Sequence, residues 1–299
     1  MPIQLRNTSL SLDINEPGEF YRGARFDWTG QIIQITYKDK YTFCTTETKD
    51  TKIVDKRGRG LYNEFGIDKP VGYDECPVGG QFPKIGVGLL TKESEAPYDF
   101  FHDYKISPHP FSYKVEENKA EFCCATGSDI DDYAFKLQKT IELQDESFTI
   151  YYRLNNLGKK TISTNEYVHN FLAISGREIN EDYELSFPFK IERDRINKIV
   201  NPDGVVDIKD NSLTWNSTPN GEFFFDSLNT LYSGIGNWKL IHKREKVGIE
   251  EITNFNISKI NLWGSPHVVS PEIFFTVNAA PGEQLFWSRT YKIFTIDNY

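Results

Sequence analysis

A carboxylate and an imidazole suit proton transfer near neutral pH, one acting as a base and the other as an acid. This 299-residue sequence has five histidines. One of them lies in Glu166-Tyr167-Val168-His169-Asn170-Phe171, a run rich in strand-forming residues. A second segment, Trp263-Gly264-Ser265-Pro266-His267-Val268-Val269-Ser270-Pro271-Glu272-Ile273-Phe274, ends on a carboxylate that opens a β-branched and aromatic stretch. Two-residue alternation puts Ile273, Phe275 and Val277 on one face of that stretch, with Glu272 on the other beside Phe274 and Thr276. It likewise groups His169 with Tyr167 and Phe171. A third segment, Tyr21-Arg22-Gly23-Ala24-Arg25-Phe26-Asp27-Trp28-Thr29-Gly30, sets Arg25 and Asp27 among aromatics, and read as a strand it gives them one face.

Other chemistries find no support. Gly86-Val87-Gly88 lacks the third glycine and the helix of a dinucleotide site, and the sequence has no Gly-x-Ser-x-Gly elbow, phosphate-binding loop or His-Glu-x-x-His. His242 and His267 stand apart from other ligand types, so neither metal nor cofactor is expected. Cys44, Cys76, Cys123 and Cys124 form no CxxC, and the adjacent pair points to opposite faces of a strand. Reduced thiols and a cytoplasmic location are expected. The amino terminus lacks the basic-then-apolar pattern of a signal peptide, and no stretch is long and apolar enough to span a bilayer. A net charge of −9 disfavours nucleic acid and anionic membranes as partners.

The elements needed to position these residues read as strands. In Phe148-Thr149-Ile150-Tyr151-Tyr152-Arg153-Leu154, alternation puts Phe148, Ile150, Tyr152 and Leu154 on one face. Gln31 to Tyr37, Phe111 to Val115, Tyr133 to Leu143, Thr161 to Ile174 and Leu285 to Phe294 read the same way. Asn201-Pro202-Asp203-Gly204 marks a turn between two further runs. No window sustains helical spacing. The expected fold is mostly β, a large antiparallel sandwich in one domain over 1–299. Arg57 to Lys84, with six glycines and three prolines, reads as a long loop, either a functional one or a solvent-facing excursion.

The three segments in this order, followed by Pro281-Gly282-Glu283-Gln284 and an aromatic strand, resemble the aldose 1-epimerases, the galactose mutarotase-like family. The resemblance spans nearly the whole chain and implies that family's β-supersandwich. It also implies interconversion of the α and β anomers of a free hexose or hexose derivative, with Glu272 as general base and His169 as general acid. The sugar ring is expected between the two side chains, and the carboxylate is expected to favour imidazolium at His169. Expected sugar contacts are Arg25, Asp27, Glu64, Lys84, Tyr167 and Asn170, with Tyr167 and Phe171 as an aromatic wall. Arg25 comes first among them, because a guanidinium binds carboxylate or phosphate through two parallel bonds. In one respect the sequence departs from the family. The upstream His-Gly-Gly of galactose mutarotases is missing from Gly79 to Gly88, and neither His102 nor His109 precedes glycines. The alternatives are a non-catalytic carbohydrate-binding protein on the same scaffold, or a lyase or hydrolase of acidic saccharides. The expected partner is a small sugar, and the chain is expected to be a monomer or homodimer.

Overall fold

A computed structural model describes residues 2–127 and 131–296. Its described residues form two ten-stranded sheets and one three-stranded sheet, joined by turns and three short 3-10 segments. All strand pairings among the described residues are antiparallel (for example Gln144–Ser147 through Phe135–Asn156).

The first large sheet runs Ile3–Arg6, Leu10–Asn15, Gln31–Tyr37, Gly60–Phe65, Ile162–Phe171, Val268–Ala279, Lys259–Ser265, Phe223–Asp226 and Lys198–Val200, with Tyr41–Thr42 beside the third. The second runs Val206–Lys209, Ser212–Trp215, Tyr183–Ser186, Ile235–His242, Val247–Asn256, Gln284–Thr295, Ser147–Asn156, Phe135–Gln144, Lys119–Ala125 and Phe111–Val115. Gln81–Lys84, Gly88–Thr91 and Ile106–Pro108 make the small sheet. The turn Asn201–Gly204 carries the chain from the edge of one large sheet to the edge of the other, with Gly204 at φ 65°.

Apolar side chains from the inner faces of both large sheets make one core, including Phe148, Ile150, Tyr152 and Leu154 as alternation predicts. The hydrophobic effect drives this layered burial. A second cluster lies against the outer face of the first sheet. Tyr21, Phe26 and Trp28 pack there with Tyr62, Phe171, Phe82 and Tyr104.

Two expectations are corrected here. Residues 21–30 are not a strand but an irregular segment that covers the first sheet. Nor is Arg57 to Lys84 a single loop: it contains Gly60–Phe65, a central strand buried along its whole length, and Gln81–Lys84. A strand covered on both faces shows no polar/apolar alternation, and its flanking glycines and prolines read as loop.

Candidate active site

The site lies at the junction of two neighbouring strands in the first sheet, Ile162–Phe171 (the histidine strand) and Val268–Ala279 (the glutamate strand). Their paired register stops at Tyr167–Phe274 and resumes at Leu172–Val269. The same number of residues separates those pairings on each strand, so His169 stands directly opposite Glu272. On the histidine strand Tyr167, His169 and Phe171 face outward, while Glu166, Val168 and Asn170 face the second sheet.

Of these, Tyr167 and His169, with Glu272, form the floor of a cleft of about 690 Å³. Trp263, Phe274 and Phe224 line one side, and Phe100, Phe101, Arg57 and Glu47 come from loops on the other. His169 stacks on Phe171 with ring centroids 3.9 Å apart and meets Trp263 edge-on at 5.3 Å. Its Nε2 lies 3.1 Å from Glu272 Oε1, and its Nδ1 is 2.7 Å from Ser270 Oγ.

Burial dominates the electrostatics of this pair. It drives the His169 pKa well below its ordinary value, and the nearby Arg25 charge acts in the same direction. Burial also pushes Glu272 up to about 8, although Arg25 and Lys259 oppose the rise. At neutral pH the pair therefore rests as a protonated carboxyl against a neutral imidazole. This corrects the expectation of a resting imidazolium; the two side chains share one pocket as expected, but their direct contact departs from the expectation of a sugar ring between them.

No protein-family model matches the chain, and no curated protein sequence does. Solved structures do. A galactose mutarotase related enzyme from Lactobacillus acidophilus has a TM-score of 0.61 at 12% identity, covering 100% of this chain and 99% of its own. A galactose mutarotase-like protein from Lactobacillus casei gives 0.57 at 14% identity, with 98% and 100% covered. A GalM/aldose epimerase homologue from C. elegans gives 0.54 at 9% identity, with 99% of both chains covered. The chain has the galactose mutarotase-like fold.

Within this mutarotase-like sandwich the remaining expected site residues fall into three groups. Arg25 and Tyr167 line the cleft. Arg25 is already engaged: Nε donates to Glu64 Oε2 at 2.8 Å, Nη2 to Tyr167 Oη at 3.0 Å and Nη1 to Glu47 Oε1 at 3.3 Å. Its guanidinium also lies 4.5 Å from the rings of Phe26 and Phe100. Two carboxylates thus answer its charge before any ligand arrives, which makes it a brace for the cleft wall.

Glu64 and Lys84 stand behind Arg25, both fully buried, with Lys84 Nζ 3.5 Å from Glu64 Oε1 and donating to Tyr98 Oη at 3.1 Å. Burial, with Arg25 nearby, pushes Lys84 down to about 8 despite Glu64. Asp27 and Asn170 are not in the cleft. Asp27 accepts from Lys139 of the second sheet at 2.7 Å and from Thr29. Its segment is irregular, so parity does not apply, and Asp27 turns away from Arg25. Asn170 lies on the inner face, as its even position on the histidine strand dictates.

Sequence reasoning left Ser270, Trp263, Glu47, Arg57 and Phe100 out of the site. Ser270 was within reach, since it shares parity with Glu272. The loop residues carry no periodic signal. His102, 2.9 Å from exposed Glu93, and buried His109, edge-on to Phe135 at 5.3 Å, both lie off this cleft.

Proposed function

We propose that this protein interconverts the α and β anomers of a free hexose or close derivative, with Glu272 and His169 as the acid–base pair. One observation carries the reading: a carboxyl and an imidazole in direct contact on the cleft floor. Ring opening removes a proton from the anomeric hydroxyl and delivers one to the ring oxygen, and closure reverses both. A pair holding one proton supplies one acid and one base for each half of that cycle. Shift of the proton from Glu272 to His169 across their 3.1 Å contact yields the carboxylate base and imidazolium acid that the family resemblance assigns. Trp263, Phe274 and Phe100 offer flat apolar faces for the C–H surface of a pyranose, and Ser270 holds the imidazole orientation. The cleft lining mixes Arg57, Lys198 and Lys259 with Glu47, Asp68, Glu222 and Asp226, so its charge alone selects neither a neutral nor an anionic sugar.

The test is anomer exchange followed by NMR for freshly dissolved neutral, phosphorylated and acidic hexoses with catalytic amounts of protein. Accelerated α/β equilibration of at least one sugar is expected. Ligand-induced stabilisation without acceleration would replace this reading by a binding protein. Shortening of an acidic oligosaccharide would replace it by a lyase or hydrolase.

A further inference from the structure

The two strands that carry His169 and Glu272 are fully paired on their outer sides. The histidine strand pairs with Gly60–Phe65 through Phe171, and the glutamate strand pairs with Lys259–Ser265 through Val268. Between the two strands the ladder is open from Tyr167–Phe274 to Leu172–Val269. Leu172 and Val269 exchange both backbone hydrogen bonds, at 3.1 and 3.0 Å. The alternation of an antiparallel ladder makes Asn170 and Pro271 the next mutually bonded pair. Pro271 has no N–H, so the bond it would donate to the Asn170 carbonyl is missing and the pair cannot close on both sides.

A side chain fills the gap. Asn170 Nδ2 donates to the Pro271 carbonyl at 2.6 Å. The amide is oriented from the second sheet: Tyr291 Oη donates to Asn170 Oδ1 at 3.0 Å, and Glu251 Oε2 accepts from Nδ2 at 3.3 Å. Arg289 Nη2 donates to the Ile273 carbonyl at 3.0 Å. The carbonyls on either side of Glu272 are thus both held by side chains anchored in the buried charge network.

We propose that Asn170 is a positioning residue: its amide ties the Pro271 carbonyl across the strands at the pair that lacks a Pro271 N–H bond, and so sets the spacing at which Glu272 meets His169. The proposal rests on the acid–base reading of that pair. Asn170 touches neither the cleft nor the reacting atoms, and acts through the backbone of its neighbours.

The variants are Asn170→Ala, Pro271→Ala and the double variant, in which a restored N–H at position 271 can donate to the carbonyl of residue 170 and tie the two strands by a bond of its own. For Asn170→Ala, kcat for anomer exchange should fall about 10- to 100-fold, the cost of displacement approaching 1 Å, with KM nearly unchanged. The ring-nitrogen NMR titration of His169 should shift as well. The double variant should recover most of the lost kcat. Asn170→Ala lowering only the melting temperature, with kcat and the His169 titration as in the parent, would overturn the proposal. So would failure of Pro271→Ala to rescue. Should Asn170→Ala not fold, the parent protein still decides, because the Asn170 side-chain amide protons must exchange slowly with solvent. Exchange at the rate of an exposed asparagine overturns the claim. The His169 titration needs no turnover, so it is read separately from Glu272→Gln, whose full activity would overturn the acid–base reading instead.

Discussion

On the inner face of the histidine strand, Glu166 meets Arg289 at 2.7 Å, and Arg289 meets Glu251 at 2.6 Å. On its outer face, His169 meets Glu272 at 3.1 Å. Both sites are buried, and in the inner one Arg289 holds its charge, although burial raises the Glu166 pKa beside it. Arg289 is flanked by two carboxylates; Trp287 donates to the Glu166 oxygen that Arg289 holds, and Trp238 and Asn63 satisfy the other oxygens of Glu251 and Glu166. Arg289 stays charged because Glu166 and Glu251 raise its pKa against desolvation. The outer pair has weaker compensation, since Arg25 and Lys259 only partly offset burial at Glu272 and the guanidinium is already bound to Glu64 and Glu47. Desolvation then brings the acid and the base toward neutrality. Compensated buried charge holds the two sheets together; weakly compensated buried charge leaves a proton free to move.

The comparison breaks most visibly at Arg289. Arg289→Met leaves Glu166 and Glu251 buried without their counter-charge, and chemical denaturation should show a loss of about 3–5 kcal/mol. Per folded molecule, sugar binding should persist. Next comes the pH dependence of kcat/KM. Activity needs one proton on the outer pair, so the rate should fall above about 8, where Glu272 ionises, and again well below 6.5 as His169 takes up a second proton. A rate flat from pH 6 to about 10 would contradict the shared proton. The smallest effect is one of stability. Glu272 ionises near its ordinary value in the unfolded chain but only around 8 when folded. Native stability therefore falls as pH rises between those values. Glu272→Gln has no such slope, so its stability relative to the parent should grow from pH 5 to pH 9 in parallel denaturant titrations.

How much of this was legible in the sequence depended on local periodicity. Strands with one face to the core, such as Ser147–Asn156, show it plainly, and parity alone brought Tyr167, His169 and Phe171 to one face. The same parity excludes Asn170, whose adjacency to His169 invited a cleft role it does not have. The strand Gly60–Phe65 was hidden because both of its faces are buried. Direct contact between His169 and Glu272 depends on which strands are neighbours and in what register, and neither is written locally. The neutral state of the pair follows from burial and from the prior engagement of Arg25, both properties of the assembled cleft. Glu47, Arg57 and Phe100 arrive from loops that only the fold brings together.

The central claim is that one proton shared between Glu272 and His169 drives anomer exchange. The most direct measurement is the exchange rate by NMR, with the best sugar of the panel, for the parent, Glu272→Gln and His169→Asn. Each variant should lose about two to four orders of magnitude in turnover while sugar affinity stays close to the parent's. Full exchange rates in both variants would contradict it.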